Sequence, residues 1–241
     1  MIDEAYRIVG TPRFGGILVV SDHASNRVPE GIDLCIAPAL LDDHIAIDIG
    51  VGAVGALMAG RPGIAAFQGN VSRLVCDFNR DEASPAAVPL ASDGHTIPGN
   101  RDEAIRAHRI ERYYRPYHNA LARLLEDIPQ ALIVSLHSFT PQLASDPHSK
   151  RPWDCGILYN HDDRAARVAI PLFEAEGLHV GDNEPYSGRV LNTTMNVHAE
   201  GEGRPYLGVE VRQDRIGDAA GQAEWAERLA RICNRVALAL E

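Results

Sequence analysis

The chain has 241 residues, 45% of them apolar, and a formal net charge of -10 from 33 acidic and 23 basic residues. This length is enough to bury one sizeable core, so we expect a single domain over residues 1–241. The acidic balance would repel a nucleic-acid backbone and excludes nucleic acid as an expected partner. Residues 1–4 lack a basic start, and no apolar run approaches membrane-span length, so we expect a cytoplasmic protein.

Apolar runs of strand length alternate with helix-like stretches along the chain. Continuous apolar runs are typical of strands that are covered on both faces. The predicted strands span 16–21, 64–68, 74–78, 131–136, 156–159 and 206–211, and the predicted helices span 37–59, 102–127, 163–176 and 218–240. This alternation predicts a three-layer α/β/α domain with a mostly parallel or mixed central sheet.

Local signals refine two of these elements. Asn100 and Glu103 are spaced as a capping box for the second helix, and Pro116 should kink or break that helix. The last helix carries an apolar stripe at spacings of three and four, which predicts a packing surface (Trp225, Leu229, Ile232 and Val236). The four cysteines are widely scattered and are interpreted as small buried hydrophobic residues.

The residues that follow the predicted strands carry an unusual amount of chemistry. His23, Arg80, His137, Glu210 and Arg212 each lie at or just after the end of an apolar run. In open α/β sheets, sites form beyond the carboxyl ends of the strands, so we expect these side chains to meet at one edge.

Two histidines and a carboxylate suit a metal-dependent hydrolase. His23 and His137 supply neutral imidazoles for a metal, and Glu210 could serve as a general base that takes a proton from water and passes it to the leaving amine. Arg80 and Arg212 could bind an anion or stabilise the developing oxyanion. The alternative for either arginine is a structural salt bridge to a nearby aspartate.

Four segments resemble the N-formylglutamate amidohydrolase family. They are His-Ala-Ser-Asn-Arg-Val-Pro from His23, Asp-Phe-Asn-Arg-Asp from Asp77, Leu-His-Ser-Phe from Leu136 and Glu-Val-Arg-Gln-Asp from Glu210. With residues 114–119 and 43–50, which also match, they cover most of the chain in order.

The resemblance implies site roles, because that family is in turn similar to zinc carboxypeptidases and aspartoacylases. It implies a zinc-carboxypeptidase-like fold, a zinc ion held by His23 and His137, and Glu210 as the catalytic glutamate. Asn79 and Arg80 resemble the pair that holds a substrate carboxylate in those enzymes.

The sequence departs from the related pattern at one expected metal ligand. Asn26 stands where the relatives carry a ligand glutamate, and a neutral amide oxygen is a poorer zinc ligand than a carboxylate. Either Asn26 is the oxygen ligand of a weak site, or Asp48 completes the site in its place. A further alternative is that Asp48 orients a ligand histidine. His44 could contribute to the metal site, or it could pair with Asp48 on one helical face.

A second departure concerns the substrate. Family members of histidine degradation are expected to read His-Ser-Gly after the first strand, where this chain reads His-Ala-Ser-Asn. We therefore expect an N-acylated amino acid with a free carboxylate, without restriction to N-formylglutamate. Tyr186, in a turn-rich loop, is a further candidate for substrate binding.

The leading hypothesis is a metal-dependent amidohydrolase that removes a formyl or other small acyl group from an amino acid. One alternative is a carboxypeptidase-like peptide hydrolase, which would need room for a second residue. The other is a binding protein that has kept the fold and lost the metal, which would bind no zinc.

Overall fold

A computed structural model describes residues 4–241, which leaves part of the acidic start of the chain outside the described residues. Seven strands form one sheet in the order β1-β3-β2-β6-β9-β7-β8, and β4 and β5 form a separate short hairpin. The strand bounds are β1 Tyr6–Gly10, β2 Ile17–Ser21, β3 Ile64–Gly69, β4 Ala91–Ser92, β5 His95–Thr96, β6 Leu132–Phe139, β7 Cys155–Leu158, β8 Val180–Asp182 and β9 Tyr206–Arg212.

The centre of the sheet is parallel. Strands β3, β2, β6 and β9 run in one direction, whereas β1 pairs antiparallel with β3 at one side. On the other side β7 pairs antiparallel with β9, and β8 runs parallel to β7. The prediction of an α/β protein with a mixed, mostly parallel sheet is therefore confirmed.

Helices cover both faces of the sheet. Their bounds are α1 Val51–Ala59, α2 Glu103–Arg109, a π-helical segment Ile110–Tyr114, α3 Arg115–Asp127, α4 Arg164–Glu174, α5 Thr193–His198 and α6 Ala219–Leu240. One apolar core joins α1, α4 and α6 to the sheet, and the other joins α3 and the π-helical segment to the opposite face. Three layers result.

Strand β2 shows why the continuous apolar runs were informative. All five of its residues are buried. Val19 belongs to the core beneath α1 and α6, whereas Leu18 and Val20 belong to the opposite core. A strand with helices on both faces needs apolar side chains in both directions.

The strand predicted over residues 74–78 is wrong. Those residues form turns in the structure, although Leu74, Val75, Cys76 and Phe78 are buried. Asn100 holds this segment, since its side-chain amide donates to the Leu74 and Pro89 carbonyls at 2.8 and 2.7 Å. Burial of an irregular loop therefore explains the apolar run.

The helix predicted over residues 37–59 is wrong in its first half. A 3-10 turn occupies Pro38–Asp42, and α1 begins only at Val51. Gly50 adopts φ 82, a left-handed conformation that ends any helical path before it. His44 and Asp48 consequently do not share a helical face.

The second predicted helix begins and bends differently from the expectation. Its N-cap is Asp102, whose carboxylate accepts from the Ala104 amide at 2.7 Å, so the predicted capping box at Asn100 is wrong. The π-helical segment directly precedes Pro116, which lies in the first turn of α3. The irregularity predicted at Pro116 is thus a π-helical turn, which is wider than an α-helical turn.

The predicted helices over 163–176 and 218–240 are confirmed as α4 and α6. The stripe of α6 is buried as predicted. Cys76, Cys155 and Cys233 are buried, but Cys35 is exposed and departs from the prediction. Within residues 4–241, every helix is too short or too polar to span a bilayer.

The α6 stripe yields a stability prediction. We expect Leu229→Ala to lower the free energy of unfolding by about 2–5 kcal/mol, because it removes a fully buried side chain from the core. Leu238 on the same helix is 69% exposed, so Leu238→Ala should change it by less than about 0.5 kcal/mol. Urea denaturation followed by circular dichroism measures both; equal effects would contradict the assigned packing face.

Candidate active site

The parallel centre of the sheet brings three predicted residues to one edge. His23 follows β2, His137 lies near the end of β6, and Glu210 lies near the end of β9. Strands β6 and β9 are neighbours, and their register pairs His137 directly with Glu210. All three side chains are buried.

Asp48 reaches the same edge from the turn that replaces the predicted helix. Its amide donates to the His23 carbonyl at 3.1 Å. Two residues later, Gly50 packs so closely that an added Cβ would lie 2.2 Å from the Ile216 carbonyl oxygen. The left-handed glycine and this contact fix the turn that carries Asp48.

His23, Asp48 and His137 form a buried group that could hold a metal ion. Asp48 Oδ2 lies 3.2 Å from His23 Nδ1 and 2.8 Å from His137 Nδ1. Donor atoms at zinc-binding distance in a tetrahedral site lie about 3.3 Å apart, so these spacings suit one small divalent cation.

Carboxylates stand behind both imidazoles. His23 Nε2 lies 2.8 Å from Asp77 Oδ1, and His137 Nε2 lies 3.4 Å from Asp22 Oδ2. Asp22 is itself held by the Tyr117 hydroxyl at 2.7 Å and the Thr194 hydroxyl at 3.0 Å. Such outer carboxylates fix the orientation of metal-binding histidines.

This arrangement fits a cation at the centre. Each imidazole has a carboxylate beside both of its ring nitrogens. In the neutral tautomer that carries its proton on Nε2, the Nδ1 lone pairs of both histidines face Asp48 Oδ2. Three acceptors would then meet in a buried place, which is unfavourable unless a positive charge lies between them.

The pKa values of the two histidines reflect the same crowding of carboxylates. Burial alone would lower the pKa of His137, but Asp22, Asp48 and Glu210 raise that pKa well above its usual value. Burial and Arg73 would lower the pKa of His23, but Asp77 and Asp48 raise it. Without a metal, protons take the place of the cation.

Arg73 provides further positive charge at this site. Its guanidinium donates to Asp48 at 3.1 Å and to Asp77 at 2.9 Å. It thereby links the turn that carries Asp48 to the loop that follows Leu74.

Glu210 has an oxygen that no protein group engages. Its Oε2 atom is buried and has no hydrogen-bond partner. Burial, together with the nearby Asp48 carboxylate, raises the pKa of Glu210 to about 7. A carboxyl group that titrates near neutral pH is suited to both accept and release a proton.

The group opens into a cavity of about 290 Å³. Asn79, Arg80 and Tyr186 line this cavity. So do five residues described above, which are His23, Asp48, Arg73, His137 and Glu210. Asn79 Oδ1 accepts from the Thr194 backbone amide at 3.1 Å. This contact turns the side-chain nitrogen of Asn79 toward other partners. The Arg80 guanidinium lies 3.3 Å from the Asn79 carbonyl and 3.9 Å from Asp77.

Two predicted site residues lie elsewhere. Asn26 donates to Asp42 at 2.9 Å and does not line the cavity, whereas Asp48 lies with the two histidines. Arg212, expected to be catalytic, does not line the cavity; Asp214 at 2.7 Å and the Trp153 carbonyl at 3.1 Å hold its guanidinium. The salt-bridge alternative therefore describes Arg212.

His44 also differs from its expected place. It lies between Asp43 and Asp93 at the cavity wall, with Nε2 3.0 Å from Asp93 Oδ2. Sequence reasoning missed Asp93 and Arg73 because neither follows an apolar run that ends at the site. The Asp93-Gly94 pair, typical of a tight hairpin turn, was the only local signal for Asp93.

Comparisons with known proteins agree with this geometry. Residues 15–217 match the family model for N-formylglutamate amidohydrolase. No curated protein matches the chain in sequence.

Two solved structures are similar over nearly the whole chain. The gene product Atu2144 from Agrobacterium tumefaciens is 28% identical, with a TM-score of 0.88, over 98% of this chain and 96% of that one. The N-formylglutamate amidohydrolase from Ralstonia eutropha JMP134 is 21% identical, with a TM-score of 0.73, over 97% of both chains, and shares the fold. On the family match, the chain belongs to the N-formylglutamate amidohydrolase family and is a hydrolase of amide C–N bonds.

Proposed function

We propose that the chain is a zinc-dependent amidohydrolase that removes a formyl or other small acyl group from an amino acid with a free carboxylate. The observation that carries the proposal is the convergence of His23, His137 and Asp48 beside the unpartnered carboxylate of Glu210. The small cavity favours a small molecule over a peptide, since ligand pockets typically exceed about 300 Å³.

His23, His137 and Asp48 are the proposed metal ligands. A zinc ion held there would polarise the amide carbonyl and make a water molecule more acidic. Asp22 and Asp77 hold the imidazoles in the orientation that this needs.

Glu210 is the proposed general base. Its free Oε2 accepts the proton of the attacking water and returns that proton to the nitrogen of the leaving amine. The pKa of about 7 permits both transfers near neutral pH.

Asn79, Arg80 and Tyr186 are the proposed substrate-binding residues. The Arg80 guanidinium suits the substrate carboxylate, and the Asn79 amide adds a donor. The Tyr186 hydroxyl accepts from Arg151 at 2.9 Å, and burial raises its pKa, so its own O–H stays available to donate to the substrate. Arg212 is proposed to stabilise the end of β9.

The first prediction from the proposed function concerns catalysis. We expect zinc-loaded protein to release amine from N-formyl amino acids, and Glu210→Gln to lower kcat by about 10²–10⁴-fold, because the amide cannot take a proton. Zinc content, measured by mass spectrometry, should stay unchanged in the variant. Release that survives both the substitution and a chelator would contradict the mechanism.

The second prediction separates Asp48 from Asn26. Asp48→Ala should weaken zinc affinity by at least about 100-fold, because it removes a proposed ligand. Asn26→Ala is the matched control and should leave the affinity unchanged, since its amide engages Asp42. Competition with a chromophoric chelator measures both constants; a larger loss in Asn26→Ala would reverse the assignment.

A third prediction concerns pH. The pKa values of His23 and His137 are raised in the metal-free protein, so protons leave these groups when zinc binds. Zinc affinity should therefore fall as pH decreases. Calorimetry at pH 6 in buffers of different ionisation enthalpy should show protons released when zinc binds, and binding without proton release would contradict the proposed ligands.

A further inference from the structure

The charges that line the cavity limit how many substrate carboxylates it can hold. Two arginines line it, Arg73 and Arg80. Arg73 already binds Asp48 and Asp77 at 3.1 and 2.9 Å. Among the described lining residues, Arg80 is therefore the arginine left to balance a substrate anion.

The cavity wall also carries a fixed negative charge. Asp93 accepts from the Ala144 and Ser145 amides, each at 2.9 Å, and lies 3.0 Å from His44 Nε2. Burial would raise the pKa of Asp93, but these bonds and the Ser145 hydroxyl lower it to about 2. His44 meets Asp43 on its other nitrogen, so both of its ring nitrogens already face protein carboxylates.

Two hydroxyl groups on the wall donate to protein carbonyls. Ser138 donates to the Ile49 carbonyl at 3.0 Å, and Thr140 donates to the Gln142 carbonyl at 2.7 Å. Arg151 lies behind Tyr186, where it donates to the Tyr186 hydroxyl at 2.9 Å and the Thr140 carbonyl at 3.2 Å, and it does not line the cavity.

The rest of the lining offers apolar surface. Phe139, Leu143, Leu158 and Leu191 all face the cavity. An aliphatic or other uncharged side chain would bury against this surface favourably, whereas a second carboxylate would lose water without gaining a cation.

We infer that the substrate carries one carboxylate and an uncharged, preferably apolar, side chain, so that this enzyme discriminates against N-formylglutamate. The inference rests on the proposed function, because it assigns the Arg80 end of the cavity to the α-carboxylate. Specificity then arises from attraction at Arg80 and from repulsion at Asp93.

The direct test is a pair of substrates with nearly equal shape. N-formyl-L-glutamine should have a kcat/KM at least about tenfold higher than N-formyl-L-glutamate, because like charges disfavour the second carboxylate. N-formyl-L-leucine should be at least as good as the glutamine compound. Faster hydrolysis of the glutamate compound would overturn the inference alone, whereas failure to hydrolyse any N-formyl amino acid would overturn the proposed function and the inference with it.

Two variants test the cause of the discrimination. Asp93→Asn removes the wall anion, and Leu143→Arg adds a cation to the apolar lining. Each should shift the glutamate-to-glutamine ratio of kcat/KM toward glutamate by about tenfold. The ratio is taken on one preparation, so loss of folded protein cancels. Leu238→Arg, on the exposed face of α6, is the control and should leave the ratio unchanged. An unchanged ratio in both cavity variants would overturn the inference.

Discussion

The contact of one Asp48 oxygen with the Nδ1 atoms of His23 and His137 is the constraint on which this site depends. Three acceptors can approach so closely in a buried place only around a cation or with bound protons. The folded scaffold must therefore hold them together against their own repulsion. Strands β2 and β6 fix the histidines, and the turn before α1 fixes the aspartate.

The carboxylates around this contact together orient the two imidazoles. Asp22, Asp48, Asp77 and Glu210 are all buried within one region, and among the described residues around them Arg73 supplies the nearest permanent positive charge. A divalent cation would bring the region closer to neutrality. The same crowding leaves Glu210 with a raised pKa, so the electrostatics that favour a metal also prepare the proposed base.

Substrate selection is a separate problem that involves other residues of the cavity lining. In the proposed mechanism the metal group sets the reaction class, whereas we infer that Arg80, Asp93 and the apolar lining select the amino acid. Family membership fixes the reaction class more firmly than the choice of amino acid. The reason is that residues of the cavity wall come from loops, which change without disturbing the sheet.

The sequence by itself determined the α/β class, most sheet strands, α4, α6 and the placement of His137 and Glu210 at strand ends, because these depend on local apolar periodicity. Only the tertiary structure decided that Asp48 joins the histidines while Asn26 turns to Asp42. It also decided that Arg212 is held by Asp214, and that Arg73 and Asp93 reach the cavity. These residues lie in turns and loops, except Arg212, which ends β9 and does not line the cavity. Their positions depend on contacts between segments distant in sequence, such as Gly50 against Ile216, which no local pattern encodes.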